Sequence, residues 1–172
     1  MEEDESMSNR PEREFASLIP ELKQWNNGAG ISIESWIACV GDFEHAIGYG
    51  RMFWPEFVEY DGCVFHQGFS ESAYESCKQC CSDGERPEGV MNHWHLAEHF
   101  SAYYDGTVPT EEQVVYLGRL LKEMWECKLK RDFPDKKFLV SFSEGSPDDL
   151  EGYEITFYQV GVPRQDTSDQ GQ

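Results

Sequence analysis

The residues of this chain with the most evident capacity for chemistry are cysteines and histidines that lie near one another in the sequence. Cys77 and Cys80 are separated by two residues, His95 and His99 by three, and fourteen residues lie between the two pairs. Thiolate and imidazole are the ligands that a tetrahedral structural zinc ion prefers, and this spacing satisfies the loose two-cysteine, two-histidine pattern. We therefore treat Cys77, Cys80, His95 and His99 as candidate zinc ligands, with His93 as a second histidine candidate.

The same segment also reads as an H-x-x-E-H pattern from His95 to His99, which resembles the inverted zinc-peptidase motif. On one helix, His95 and His99 would present both imidazoles on the same face, and Glu98 would activate a zinc-bound water. A third ligand from elsewhere in the chain would be required. The resemblance implies a hydrolytic zinc centre, as an alternative to a structural one.

An interpretation without any metal is also open. A helix over residues 90–104 would have a broad apolar face that includes Trp94, while the three histidines and Glu98 would occupy its edges. Cys77 and Cys81 are separated by one helical turn, which is typical of a helix that buries small thiols. In this interpretation these residues only complete the core and its margin.

The overall composition indicates one folded domain. A length of 172 residues suits a single domain, and 14% aromatic with 39% hydrophobic residues is too apolar for a disordered chain. Residues 1–12 and 163–172 are polar and short of apolar side chains, so we predict disordered tails there. The single domain is then expected to span residues 13–162.

The charge of the chain restricts its partners. The sequence has 14 Lys and Arg against 33 Asp and Glu, a formal net charge of −19. Because phosphate binding needs clustered basic side chains, we expect no nucleic-acid partner, whereas a basic partner protein suits this charge. We find no run of 18 apolar residues and no signal-like N-terminus, so we also expect no membrane association and a cytoplasmic location. In that reducing compartment the six cysteines would be thiols or metal ligands.

Helices are predicted from apolar residues at helical spacing and from capping residues. Residues Glu14 to Trp25 have this spacing, and Ser32 is placed to cap a second helix that continues with interruptions toward Ile47. Ser70 begins a third segment. Thr110 with Gln113 forms a capping box at the start of a long helix.

Two β-hairpins are predicted on either side of these central helices. Residues 56–60 and 63–67 are β-rich and are joined by Asp61-Gly62, a pair that favours the positive φ angles of a two-residue turn. Two further runs alternate in side-chain type: Phe138, Val140 and Phe142 alternate with Leu139, Ser141 and Ser143, and Tyr153, Ile155 and Phe157 do the same. We therefore predict a single α+β domain, with an antiparallel sheet of about four strands and helices packed on one face.

These features favour a non-enzymatic, acidic binding protein that docks on a basic partner. Charge complementarity would accelerate encounter, and tryptophan and tyrosine side chains would anchor the contact. In size and charge the chain resembles small acidic inhibitors such as bacterial immunity proteins, a resemblance of class and not of motif. A zinc-containing protein that uses the cysteine and histidine pairs is the alternative.

Overall fold

The computed structural model describes residues 15–81, 86–99, 108–146 and 152–161. The predicted tails at 1–12 and 163–172 lie outside these ranges.

The N-terminal segment is only partly the continuous helix that we expected. Residues 15–18 are helical, but a short 3-10 helix at Pro20–Lys23 replaces the α-helix from there on. Proline cannot donate a backbone hydrogen bond, and its ring clashes with the preceding helical turn. Asn26 and Asn27 then turn the chain, with φ angles of 55° and 56°. The prediction of one helix from Glu14 to Trp25 was therefore wrong in its continuity.

Two helices follow, each with a side-chain cap at its start. Helix α1 spans Ile33–Val40, and the Ser32 hydroxyl accepts the N–H of the residue three positions later. Helix α2 spans Phe43–Phe53, and the Asp42 carboxylate caps it in the same way. The predicted helical region after Ser32, with its interruption, is confirmed.

The first predicted hairpin is present with the expected turn. Strands β1 (Phe57–Tyr60) and β2 (Cys63–His66) pair antiparallel, with Tyr60 opposite Cys63. Asp61 and Gly62 have φ angles of 49° and 76°, the two consecutive positive values that a tight hairpin of this kind requires.

The predicted helix over residues 90–104 is not one helix in its described part. Helix α3 (Glu71–Cys80), capped by Ser70 as expected, is followed by α4 (Pro87–Met91), strand β3 (Trp94–His95) and the one-turn helix α5 (Leu96–His99). The chain leaves α4 because Asn92 bonds to the backbone of β2 and because residues 94–95 pair with a distant strand. Residues 100–104 lie outside the described residues.

The long helix and the second hairpin form the other half of the fold. Helix α6 spans Glu111–Asp132, with the predicted capping box at its N-terminus. Strands β4 (Phe138–Ser143) and β5 (Glu154–Gln159) pair antiparallel, and β3 pairs with the other edge of β5. The resulting order is β3-β5-β4.

Helix α6 packs closely on this three-stranded sheet. A Cβ atom at Gly118 would overlap with the ring of Phe142 on β4, so the absence of a side chain permits the close approach. A cluster of buried apolar residues lies between this helix and the strands. It consists of Val64, Leu96, Val114, Leu121, Trp125, Leu129, Val140, Tyr153, Ile155 and Phe157.

Two buried polar side chains connect the two sheets. Glu88 accepts hydrogen bonds from the backbone N–H of Val64 at 2.7 Å and of Gln159 at 2.8 Å. Asn92 accepts from the N–H of His66 in β2 and donates to the carbonyls of Val64 in β2 and Phe157 in β5. Because unpaired backbone groups are costly when buried, these contacts allow two short sheets to meet without a continuous ladder.

The α+β fold class is confirmed. The strands are antiparallel and the two predicted hairpins are present, but they belong to a two-stranded and a three-stranded sheet.

Candidate functional site

The cysteine pair lies on helix α3. Cys77 is partly buried and Cys80 is exposed, and both are free thiols. The Cys77 sulfur lies 3.6 Å from the sulfur of Cys81, one helical turn away. Burial of Tyr74 on the same helix fits the packing role that the spacing of these residues suggested.

The histidine-rich segment is positioned by the pairing of β3 with β5. His95 lies directly opposite Glu154, and Trp94 lies opposite Ile155. Side chains alternate between the two faces of a strand, so His93 and His95 share a face with Glu154, while Trp94 points into the core. The same sequence on a helix would have placed these residues differently.

His93, His95 and Glu154 form a compact group of potential metal ligands. The Nε2 atom of His93 lies 3.2 Å from one Glu154 carboxylate oxygen, and the Nδ1 atom of His95 lies 3.6 Å from the other. One ligand atom from each of the three residues lies within 4.8 Å of the others. Each side chain is 35–37% exposed, so solvent reaches the group.

The four sequence-predicted ligands are therefore not assembled as a set. Among the described residues, the group with three ligand atoms in mutual reach contains His95 but not Cys77, Cys80 or His99. The potential ligands that lie close to His95 are instead His93 and Glu154. His93 was recognisable as a candidate, whereas Glu154 depends on a strand register that no local pattern specifies.

His99 has a different environment from His95. It lies at the end of α5, and its ring centroid is 4.4 Å from that of Trp94. Burial lowers its pKa, and nearby His95 lowers it further, although Glu98 acts in the opposite direction. Because His95 belongs to a strand and His99 to a helix, they do not have the shared helical face that the peptidase-like pattern requires.

A fourth histidine, His66, is buried in an aromatic cluster. Its ring is stacked on Trp94 at 4.5 Å between centroids and meets Trp125 edge-on at 4.6 Å. Neither ring nitrogen has a hydrogen-bond partner among the described residues. Burial lowers the pKa of His66 to about 3, and the positive charges of His99 and Arg51 act in the same direction. The ring is therefore neutral at pH 7.

An apolar cleft begins next to the histidine-rich segment, since Leu96 and Ala97 are among its lining residues. Its volume is about 590 Å³, within the usual range of about 300–1,000 Å³ for ligand sites. Apolar side chains from the N-terminal segment, α1 and α6 line most of it, including Leu18, Trp36, Ile37, Leu117 and Leu120.

Helices α1 and α2 also present large apolar side chains to solvent. Phe43 is 89% exposed and Ile47 is 73% exposed, one turn apart on α2. Ile37 and Val40 on α1 are also exposed, and Ile37 lines the cleft as well. We call Ile37, Val40, Phe43 and Ile47 the α1–α2 apolar surface. Such a concentration of exposed apolar residues is typical of an interaction site.

Comparison with known proteins gives no match. No protein-family model matches the chain, and neither a curated protein nor a solved structure does. In the part of the chain that the structure describes, no helix combines the length and apolar character needed to cross a membrane.

Proposed function

We propose that this protein is a non-enzymatic binding module that docks on a basic partner protein through the α1–α2 apolar surface and the adjoining cleft. The observation that carries the proposal is the exposure of Phe43 and Ile47. Exposing two large apolar side chains on one helical face is unfavourable for an isolated protein, and burying them in an interface reverses that cost.

Charge determines which kind of partner suits this surface. Glu34 and Glu44 lie in the first turns of α1 and α2, and Asp42 links the two helices. Backbone hydrogen bonds lower the pKa of Glu34 and of Asp42, so both carboxylates are ionised at neutral pH. With the net charge of −19, an apolar surface flanked by carboxylates favours a segment with apolar anchors and surrounding Lys or Arg.

The apolar lining of the cleft favours an amphipathic helix as the docking segment. An amphipathic helix places apolar residues at i, i+3, i+4 and i+7, and these fit an elongated groove between helices. Ile37 belongs to both the cleft and the exposed surface, so one helix would contact both. A small acidic inhibitor that neutralises a basic protein, which the chain resembles in size and charge, would use a surface of this kind.

The proposal can be tested with two synthetic amphipathic helices that share an apolar face but carry Lys or Glu on the polar face. Fluorescence anisotropy of the labelled peptides should show saturable binding of the Lys peptide that weakens with salt. Phe43→Ala/Ile47→Ala should weaken it roughly tenfold or more, the size of effect expected at interface anchors. Leu139→Ala, which truncates an exposed residue on β4, is the matched control and should bind as the wild type does.

Three results would contradict the proposal. Equal affinity for the Lys and Glu peptides would show that charge does not select the partner. Unchanged affinity in the double variant would place binding elsewhere. Concentration-dependent dimerisation in sedimentation experiments, abolished by Phe43→Ala/Ile47→Ala, would show that a second copy of the chain covers the surface instead.

A further inference from the structure

The pairing of β3 with β5 places His93, His95 and Glu154 together, and this gives the group a fixed geometry. His95 and Glu154 are directly opposed, and His93 is two residues earlier on the same strand face. Each histidine meets a different oxygen of the same carboxylate. Backbone pairing fixes the relative positions of His95 and Glu154, and His93 lies immediately before β3.

The distances within the group suit a zinc ion. Zinc binds imidazole nitrogen at about 2.0–2.1 Å and carboxylate oxygen at about 2.0–2.2 Å, which in a tetrahedron separates neighbouring ligand atoms by roughly 3.3–3.5 Å. The distances of 3.2 Å and 3.6 Å run from the two histidines to different oxygens of Glu154, and each lies close to this separation. One ligand atom from each of the three residues lies within 4.8 Å of the others, so side-chain rotations would bring all three to this separation.

The chemistry of the ligands selects a class of metal. Two imidazoles favour late first-row transition metals over magnesium and calcium, which prefer oxygen ligands only. We propose that His93, His95 and Glu154 bind one zinc ion at the edge of the three-stranded sheet, at a site that shares no residue with the docking surface. Three protein ligands leave one tetrahedral position for water or for a group from a partner.

Zinc bound at this position would stabilise the pairing of edge strand β3 with β5. Strand β3 contributes only Trp94 and His95 to the ladder, and both pair with β5. A zinc ion held by two side chains of this segment and one of the central strand would crosslink them. Since a ligand that binds only the folded state stabilises it, zinc should raise the unfolding temperature.

The test starts from metal-free, reduced protein, titrated with zinc by calorimetry and with cobalt by absorption spectroscopy. We expect one ion per chain and a cobalt spectrum without thiolate charge-transfer bands. His93→Ala and Glu154→Gln should each weaken zinc binding by about tenfold or more and remove the zinc-dependent rise in unfolding temperature. Without metal, both variants should unfold close to the wild-type temperature, which separates loss of binding from loss of fold.

Two control variants complete the experiment. His45→Ala removes another exposed histidine that contacts a carboxylate, with Nδ1 3.2 Å from Asp42, and should leave zinc binding unchanged. Cys77→Ser/Cys80→Ser should also bind zinc as the wild type does. Unchanged affinity in His93→Ala and Glu154→Gln would overturn the proposal. Loss of binding in the cysteine variant would do so as well, and would support the cysteine and histidine pairs instead.

Discussion

Histidines occupy opposite environments on the two faces of strand β3. On the core face, His66 is stacked on Trp94, and burial lowers its pKa to about 3. On the other face, His93 and His95 both contact the carboxylate of Glu154 and are about one-third exposed. Within β3, Trp94 therefore contacts a buried histidine with no hydrogen-bond partner among the described residues, whereas His95 lies beside an accessible carboxylate.

The two regions therefore contribute to different properties of the protein. The His66 region is part of the packed interior, so changes there should alter stability and its dependence on pH. The pair of histidines beside Glu154 contributes little packing, and partly exposed ion pairs are worth only about 0–1 kcal/mol. Changes there should alter ligand binding while the fold persists.

The largest effect should come from opening the aromatic cluster around His66. Trp125 is fully buried, contacts the rings of His66 and Trp94, and donates its indole N–H to the carbonyl of Met52. Trp125→Ala should lower the free energy of unfolding by about 3–5 kcal/mol in urea denaturation, because it leaves a large cavity. Phe43→Ala, at a ring that is 89% exposed, is the control and should cost less than about 1 kcal/mol. Comparable losses in the two variants would contradict the assignment of the core.

The next effect concerns Asn92, which connects the two regions. Its side chain accepts from the N–H of His66 at 3.2 Å and donates to the carbonyl of Val64 at 2.9 Å, and the next residue is His93. Asn92→Ala leaves these buried backbone groups unpaired and should cost about 1–3 kcal/mol in the same assay. Gln24→Ala removes an exposed amide and should change stability by no more than about 0.5 kcal/mol. Equal costs would show that water replaces the Asn92 contacts.

The acid sensitivity of the fold should depend on His66. Between pH 6.5 and about 3 the unfolded chain protonates this histidine and the folded protein does not, so stability falls as the pH is lowered. From pH 6.5 to 5 this amounts to about 2 kcal/mol. His66→Phe should remove that part of the loss, whereas His45→Ala, at an exposed histidine, should not. Parallel pH profiles for the wild type and His66→Phe, measured by urea unfolding, would contradict a neutral buried ring.

Elements specified by neighbouring residues could be predicted from the sequence. The turn at Asp61-Gly62 and the capping box at Thr110 act within a few positions, so their signals do not depend on the rest of the fold. The alternation over residues 138–143 likewise identified the buried face of β4. The interruption at Pro20 was also visible in the sequence, and apolar periodicity was given too much weight there.

The candidate site could be predicted only in part, because it depends on distant pairing. The helical pattern over residues 90–104 was outweighed by pairing with β5, about 60 positions later, and by the bonds of Asn92 to β2. Because a helix was assumed, His95 was grouped with His99 and the two cysteines as candidate zinc ligands. In the strand, His95 instead lies beside His93 and Glu154. Only the register between β3 and β5 identifies Glu154 as the neighbouring carboxylate.

The smallest effect on stability, and the sharpest separation of the two regions, should come from Glu154→Gln. The amide keeps the size of the side chain and removes its charge, so in metal-free protein the cost should be no more than about 0.5–1 kcal/mol, as for other partly exposed ion pairs. In the presence of zinc the difference from the wild type should widen, because only the wild type gains stability from the ion. Thermal unfolding with and without zinc measures both quantities. A large loss without metal would mean that Glu154 serves the fold, and the contrast between the two faces of β3 would then disappear.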